Sequence, residues 1–262
     1  MLPSFDLFGF SLPTYSVCVA IGILMALLLA LFRNKSPRFQ TSNTDIFYTI
    51  IFCVIGALIG AKVLHITGVI IRDGHTSDFW TVQNWSNVLK GVGIFYGGLI
   101  GGLLAALFYI KKFKLNFSEV TDILIPSVLV AHTFGRIGCF FAGCCYGIKE
   151  NWGIAFFHSQ IAPNDIPLIP IQLFEAGFNV ILLIAILSLR PENKRPGILL
   201  PLYLLCYSVA RFILEFWRGD IGRGIFILST SQWISLVIFP VAVLLFFSKI
   251  NQEHKTLFLQ KP

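Results

Sequence analysis

The stretch TYSVCVAIGILMALLLALF, residues 14–32, carries no charged side chain and stops at Arg33. A helix needs roughly 20 such residues to cross about 30 Å of hydrocarbon. Backbone amides have no water to bond there, so the segment must satisfy them internally, as a helix does. Blocks of the same kind recur at 46–70, 92–110, 119–136, 170–189, 197–217 and 232–248. The whole chain fits this reading. Of its 262 residues 56% are hydrophobic and 13% charged, with a mean hydropathy of +0.78. A soluble domain carries about 25% charged residues. The expected fold class is therefore an all-α membrane protein with seven transmembrane helices. Residues 1–262 are expected to form a single transmembrane domain, with 137–169 as its outward-facing loop segment.

The net charge of +7 raises the question of nucleic acid, and the placement of the charge argues against it. Basic residues gather just beyond spans one, three, five and seven: Arg33, Lys35, Arg38; Lys111, Lys112, Lys114; Arg190, Lys194, Arg195; and Lys249, Lys255, Lys261. Basic loops stay in the cytoplasm. The predicted topology has the N-terminus outside and the C-terminus inside. Trp80, Trp85, Trp152 and Trp217 then fall at the outer rim, as an interfacial belt does. The first ten residues hold no Lys or Arg, so the first apolar block reads as a span and not as a cleaved signal. No internal repeat is evident, which disfavours a transporter built from paired halves.

Charges within the spans are the next signal, because they are costly in lipid and face a bundle interior or a wet cavity. Lys62, Arg136 and Arg211 lie in apolar segments, and Glu175 and Glu215 lie near the outer ends of spans five and six. In YSVARFILEFWRG, residues 207–219, the positions Tyr207, Arg211, Glu215 and Arg218 share one helical face. The stripe suits an anion site whose arginine is oriented by Glu215, or an ion ladder that docks the helix. In PIQLFEAG, residues 170–177, Gln172 and Glu175 lie on one face. They are either helix-start groups or partners for an arginine or a substrate hydroxyl.

GVGIFYGGLIGG, residues 91–102, holds six glycines. Gly97, Gly98, Gly101 and Gly102 permit either close helix packing or close approach of a ligand to the backbone, with Tyr96 pointing into that space. GRIGCFFAGCCYG, residues 135–147, places Arg136 beside Cys139, Cys144 and Cys145. A tight turn there presents the guanidinium to an anion. The thiols leave several readings open: a disulfide from Cys139 to one of the pair, packing only, a reactive thiolate beside Arg136, or a metal site. The spacing lacks the ordinary zinc pattern and a clear fourth ligand. Cys18, Cys53 and Cys206 are expected to pack.

Taken in order, these segments resemble the prolipoprotein diacylglyceryl transferase family of the bacterial inner membrane. Tyr15 in LPTYSVCVAIG, the glycines of IGALIGAKVLHIT, FYGGLIGG, GRIGCFFAGCCYG, PIQLFEA and the Tyr207–Arg218 stripe each match one of its motifs. The chain departs from the family at three positions. Tyr96 stands for a histidine, Cys139 for an asparagine and Cys144 for a glutamate. The resemblance implies transfer of a diacylglyceryl group from phosphatidylglycerol to the lipobox cysteine of a preprolipoprotein, in a multi-pass inner-membrane protein. It implies Arg136, Arg211, Tyr96 and Glu215 as catalytic residues. Arg136 and Arg211 would clamp the phosphate, with Arg218 and Glu215 ordering the clamp, and Gly97, Gly98, Tyr15, Gln172, Glu175 and Tyr207 would also bind substrate or phosphate. His132, one turn before Arg136, is a second candidate for the base. The expected partners are phosphatidylglycerol, the preprolipoprotein signal segment and the bilayer, without nucleic acid, metal or cofactor. The alternatives are a diverged member with another lipid or acceptor, and a non-catalytic lipid-binding or transport protein.

Overall fold

The computed structural model describes residues 4–7, 10–73, 81, 94–159, 161–190, 196–220, 224–225 and 227–259. Trp80, Trp85, Lys90, Gly91, Gly93, Lys194, Arg195, Arg223 and Lys261 lie outside them. The chain forms two compact units, one of residues 1–36 with 118–262 and one of residues 37–117.

The described residues hold seven α-helices: α1 (Thr14–Asn34), α2 (Asn43–Asp73), α3 (Phe95–Lys112), α4 (Phe117–Ala142), α5 (Ile171–Leu189), α6 (Leu199–Leu214) and α7 (Thr230–Leu259). Six of them are long and apolar enough to cross a membrane. The exception is α3, the third predicted span, whose last turn carries Lys111 and Lys112. The sequence reading had no strands, yet three short antiparallel pairs are present: β1 (Ser4–Leu7) with β2 (Phe10–Pro13), β3 (Lys149–Ala155) with β4 (Pro167–Leu168), and β5 (Gly224–Ile225) with β6 (Leu228–Ser229). Such pairs satisfy backbone groups where the chain leaves the helices.

In the first unit, Ile125 and Leu129 of α4 pack with Leu182 and Ile186 of α5 and with Ile198 and Leu199 at the start of α6. Below this core the basic ends collect. Asp122, fully buried, accepts hydrogen bonds from the backbone N–H of Gly197 (2.6 Å) and Leu199 (3.3 Å), capping α6. Arg33 at the end of α1 donates to the Asp122 carbonyl at 3.1 Å, and Lys249 of α7 donates to Ser118 at 3.0 Å. The sequence reading left Asp122 out of its intramembrane acids. A carboxylate this buried survives because backbone donors surround it. At the other end α1 begins against the end of α4, where Gly138 faces the Tyr15 ring.

Two expectations need correction. Arg136 is not in a turn. Helix α4 runs on to Ala142, so the segment 137–169 begins as helix and leaves it only at Gly143 (φ +70°). Nor does the 207–218 stripe lie on one helix. Helix α6 ends at Leu214, a 3₁₀ turn covers Glu215–Trp217, and Arg218 is extended (ψ 136°). The tighter turn and the extended residue redirect the Arg218 side chain.

In the second unit, α2 starts at a local cap in which Ser42 Oγ accepts the Asp45 N–H at 3.0 Å. Its glycines face those of α3. A side chain at Gly97 would overlap the Gly60 carbonyl oxygen, and one at Gly101 would overlap that of Gly56. Gly98 is looser, with the Ala57 carbonyl oxygen 3.3 Å from the position of an added Cβ. Helix packing is what lies against these glycines. Lipid offers no hydrophobic force between two helices, so close backbone contact holds them.

Gly97→Ala should therefore lower the thermal unfolding midpoint of the detergent-purified protein, at a cost of about 1–3 kcal/mol. Gly177→Ala, where nothing lies within 4 Å of an added Cβ, should leave the midpoint unchanged or raise it. Equal midpoints for the two variants would contradict the packing described.

Candidate functional site

The site lies at one end of the first unit, where α4 and α6 end and α5 and α7 begin. Its centre is Glu175, one turn into α5. Pro170 precedes the helix and supplies no N–H, which suits the first turn. Glu175 is 3% exposed. Arg136 of α4 meets its Oε2 through Nε at 2.5 Å, and Arg211 of α6 meets its Oε1 through Nη1. Arg218 reaches Oε1 through Nη1 at 3.8 Å. The guanidiniums of Arg136 and Arg211, which the sequence analysis assigned to one phosphate, thus meet on one carboxylate.

Each arginine has further partners. Arg211 pairs with Glu215 at 2.8 Å and donates to Ser231 Oγ at 3.1 Å. Arg136 donates through Nε to His132 Nε2 at 3.3 Å, and the Tyr207 phenol lies within its hydrogen-bonding reach. The Tyr207 ring stands edge-on to His132, with centroids 5.2 Å apart, and stacks on Tyr203. Arg218 forms two bonds to Asp220, at 3.2 and 3.1 Å. Burial works against the Arg218 charge, but the hydrogen bond and attraction from Asp220 outweigh it and raise its pKa.

The loop after α4 carries the thiols. Cys139 is in the last turn of the helix, and Cys144 and Cys145 follow Gly143. Their three sulfurs lie within 4.8 Å of one another, and all three thiols are free. Several bonds pin the loop. Cys144 N–H donates to the Cys139 carbonyl at 3.1 Å, and Gln172 Nε2 donates to the Cys144 carbonyl at 2.6 Å. Gly147 N–H bonds the Ile169 carbonyl at 2.9 Å, and Gly219 N–H bonds the Tyr146 carbonyl at 3.0 Å. Cys145 adopts φ 62°, the left-handed region that side chains avoid. The contacts among the three thiols push Cys144 above the ordinary thiol range and hold Cys145 below it, and the Cys144 thiol donates to the Cys139 carbonyl at 3.7 Å. Tyr15 at the start of α1 is in electrostatic range of Arg136 and all three cysteines.

The first unit thus brings together Arg136, Arg211, Arg218, Glu175, Glu215, Gln172, Tyr207, Tyr15 and the three cysteines. Tyr96, Gly97 and Gly98 belong to the second unit, at the start of α3, where Tyr96 is partly exposed. Asp220 and Ser231 stand out by no periodicity in the sequence, since they lie in an irregular segment and at a helix start. Asn179, one turn beyond Glu175, joins them as a residue not expected from the sequence, fully buried with neither side-chain polar atom hydrogen-bonded. Its i+4 spacing from Glu175 was the available signal.

A fold of membrane-length helices with a buried arginine–carboxylate cluster at one helix-end face defines a multi-span membrane protein with a charged intramembrane centre. Residues 3–248 match the family described as prolipoprotein diacylglyceryl transferase. The chain belongs to that family. It is 35% identical over 256 residues to the phosphatidylglycerol–prolipoprotein diacylglyceryl transferase of Clostridium tetani, covering 96% of this chain and 98% of that protein. A Clostridium perfringens transferase of the same name, numbered 2, is 34% identical over 257 residues, 96% of each chain. One from Campylobacter jejuni is 32% identical over 266 residues, 95% of this chain and 94% of its own.

Arg211→Ala should destabilise the protein by about 3–5 kcal/mol, because it leaves the buried Glu175 and Glu215 short of a counter-charge. Arg211→Lys keeps the charge but loses the fork that reaches Glu175, Glu215 and Ser231 together, so it should recover only part of that stability. Denaturant unfolding in detergent measures both. Wild-type stability in Arg211→Ala would show that the cluster is not closed as described.

Proposed function

We propose that the chain transfers a diacylglyceryl group from phosphatidylglycerol to the lipobox cysteine thiol of preprolipoproteins. The observation that carries this reading is the convergence of Arg136 and Arg211 on one buried carboxylate, at helix ends where a lipid headgroup arrives. Family membership over nearly the whole chain supports it. The basic ends of α1 and α7 lie at the opposite end of the first unit, and basic ends stay in the cytoplasm. The site then faces the extracytoplasmic leaflet of the bacterial inner membrane, with the N-terminus outside.

The chemistry needs charge stabilisation above all. The acceptor sulfur attacks the glyceryl carbon, the carbon–oxygen bond breaks, and its electron pair leaves on glycerol phosphate. Negative charge grows on the departing phosphate. Guanidinium groups present forked donors to phosphate oxygens and stay protonated at any working pH. Donors already fixed in place for that charge often accelerate such reactions more than any other single effect. Here Glu175, Glu215 and Asp220 fix them. Gln172 and Tyr207 order the walls, through the Cys144 loop and the Arg136 guanidinium respectively.

Purified protein given labelled phosphatidylglycerol and a lipobox peptide should form the thioether and release glycerol phosphate. Arg136→Ala should lower the rate by about 100-fold or more while leaving membrane insertion intact. Arg136→Lys should recover little, since a point charge does not replace the fork. A wild-type rate in Arg136→Ala would sink the clamp, and no transfer by the wild-type protein would sink the activity.

A further inference from the structure

Building on the proposed transfer, one requirement of the reaction is unmet by the arginine cluster. The nucleophile in thiol chemistry is the thiolate, and a free thiol loses its proton only near pH 8.5. Guanidiniums do not serve as bases. The cluster's carboxylates are paired with them, and His132 Nε2 already accepts the Arg136 N–H. Beside that cluster stand three thiols with no role in holding phosphate.

We propose that Cys139, Cys144 and Cys145 bind one Zn²⁺ as a three-thiolate site whose fourth position takes the acceptor thiol. The geometry is near what the ion asks for. Zinc is tetrahedral with Zn–S of about 2.3 Å, which sets sulfurs on one ion about 3.8 Å apart. The three sulfurs here lie within 4.8 Å of one another, so closing the site asks any pair to approach by about 1 Å or less. Among the described residues no fourth Cys, His, Asp or Glu joins the group. Three protein ligands and an open position are the arrangement of a catalytic zinc, whereas structural sites are closed by four.

The loop is built to hold those sulfurs in place. Gly143 and Cys145 both take left-handed backbone, which turns Cys144 and Cys145 back over Cys139. Gln172 holds the Cys144 carbonyl, and the loop is tied on both sides to the chain after β4 and to Gly219. Such outer bonds orient metal ligands. Charge also fits. Three thiolates and Zn²⁺ sum to one negative charge, and the thiol loop runs from the helix that carries Arg136 to a backbone bridge with Arg218.

A disulfide competes less well for the same atoms. Cys144 and Cys145 are joined by a trans peptide, so their Cα atoms are about 3.8 Å apart. Disulfides usually span about 4.4 Å or more. Any bridge must therefore use Cys139 and leaves one thiol over, while a metal engages all three. Copper(I) is soft enough for three thiolates, but trigonal binding leaves it no position for substrate. Zinc is redox-inert and four-coordinate.

The step balances as follows. The acceptor thiol coordinates zinc and gives its proton to water, since metal-bound thiols are deprotonated. The zinc-held sulfur forms the carbon–sulfur bond to the glyceryl carbon. The carbon–oxygen bond breaks and its electron pair leaves with glycerol phosphate, held by the arginines. The thioether, a weaker ligand, then leaves the metal. No electron is gained or lost by any partner.

The test uses full-length protein purified in detergent without chelator. One zinc per chain is expected by elemental mass spectrometry, falling to background in the triple variant Cys139→Ser, Cys144→Ser, Cys145→Ser. Cobalt(II) added to the stripped wild-type protein should give thiolate-to-cobalt absorption and tetrahedral d–d bands. A lipobox peptide should shift those bands, and its serine analogue should not. This readout does not depend on whether the triple variant folds. Chelation should cut transfer by about 100-fold or more, the scale of a lost proton-transfer catalyst, with recovery on added zinc. Transfer at full rate with no bound metal, or a Cys139 disulfide in protein alkylated directly from cells, overturns the zinc site while the transferase reading stands. Zinc binding with the peptide-dependent shift but no transfer from phosphatidylglycerol supports the site and overturns the donor lipid.

Discussion

Guanidinium groups packed among apolar helix ends depend on carboxylates beside them. Desolvating a charge costs several kcal/mol even after the surroundings relax, and only a close counter-charge offsets it. Glu175 is that counter-charge for Arg136 and Arg211, and it lies within reach of Arg218. Glu215 and Asp220 complete the balance from the chain itself. The consequence is more than neutrality. A carboxylate touched from α4 and α6 ties those two helices together through their charges.

The opposite end of the first unit is organised on the same rule with different parts. Asp122 is buried as deeply as Glu175, but backbone N–H groups at the start of α6 satisfy it. One buried acid is a cap and the other is the hub of an arginine cluster. The difference lies in their partners. Fixed backbone donors satisfy the first, while forked cations from two helices and the chain beyond α6 gather on the second.

The second unit joins two of its helices by a different kind of contact. Helices α2 and α3 approach through glycine against backbone carbonyl, where any side chain would overlap. With lipid tails as apolar as leucine, closeness itself is the source of stability.

The sequence by itself determined the helices, because spans of uncharged residues have one way to satisfy their backbones in hydrocarbon. It also singled out Arg136, Arg211, Glu175, Glu215 and Arg218, because charges in such spans are too costly to be incidental. It did not determine who pairs with whom. That Arg211 bonds Glu175, 36 residues away, and that Arg218 turns to Asp220, follow from a helix ending at Leu214 and a chain that leaves it extended. Periodicity assumes the helix continues, so it placed Arg218 on a face that does not exist. It likewise put Arg136 in a turn, because glycines read as turn residues in water and as packing residues in lipid. The sequence already grouped Cys139 with Cys144 and Cys145, and the structure fixed their spacing through left-handed backbone at Gly143 and Cys145 and through Gln172 reaching across from α5. The reach of Gln172 is a contact between elements, which no local pattern encodes.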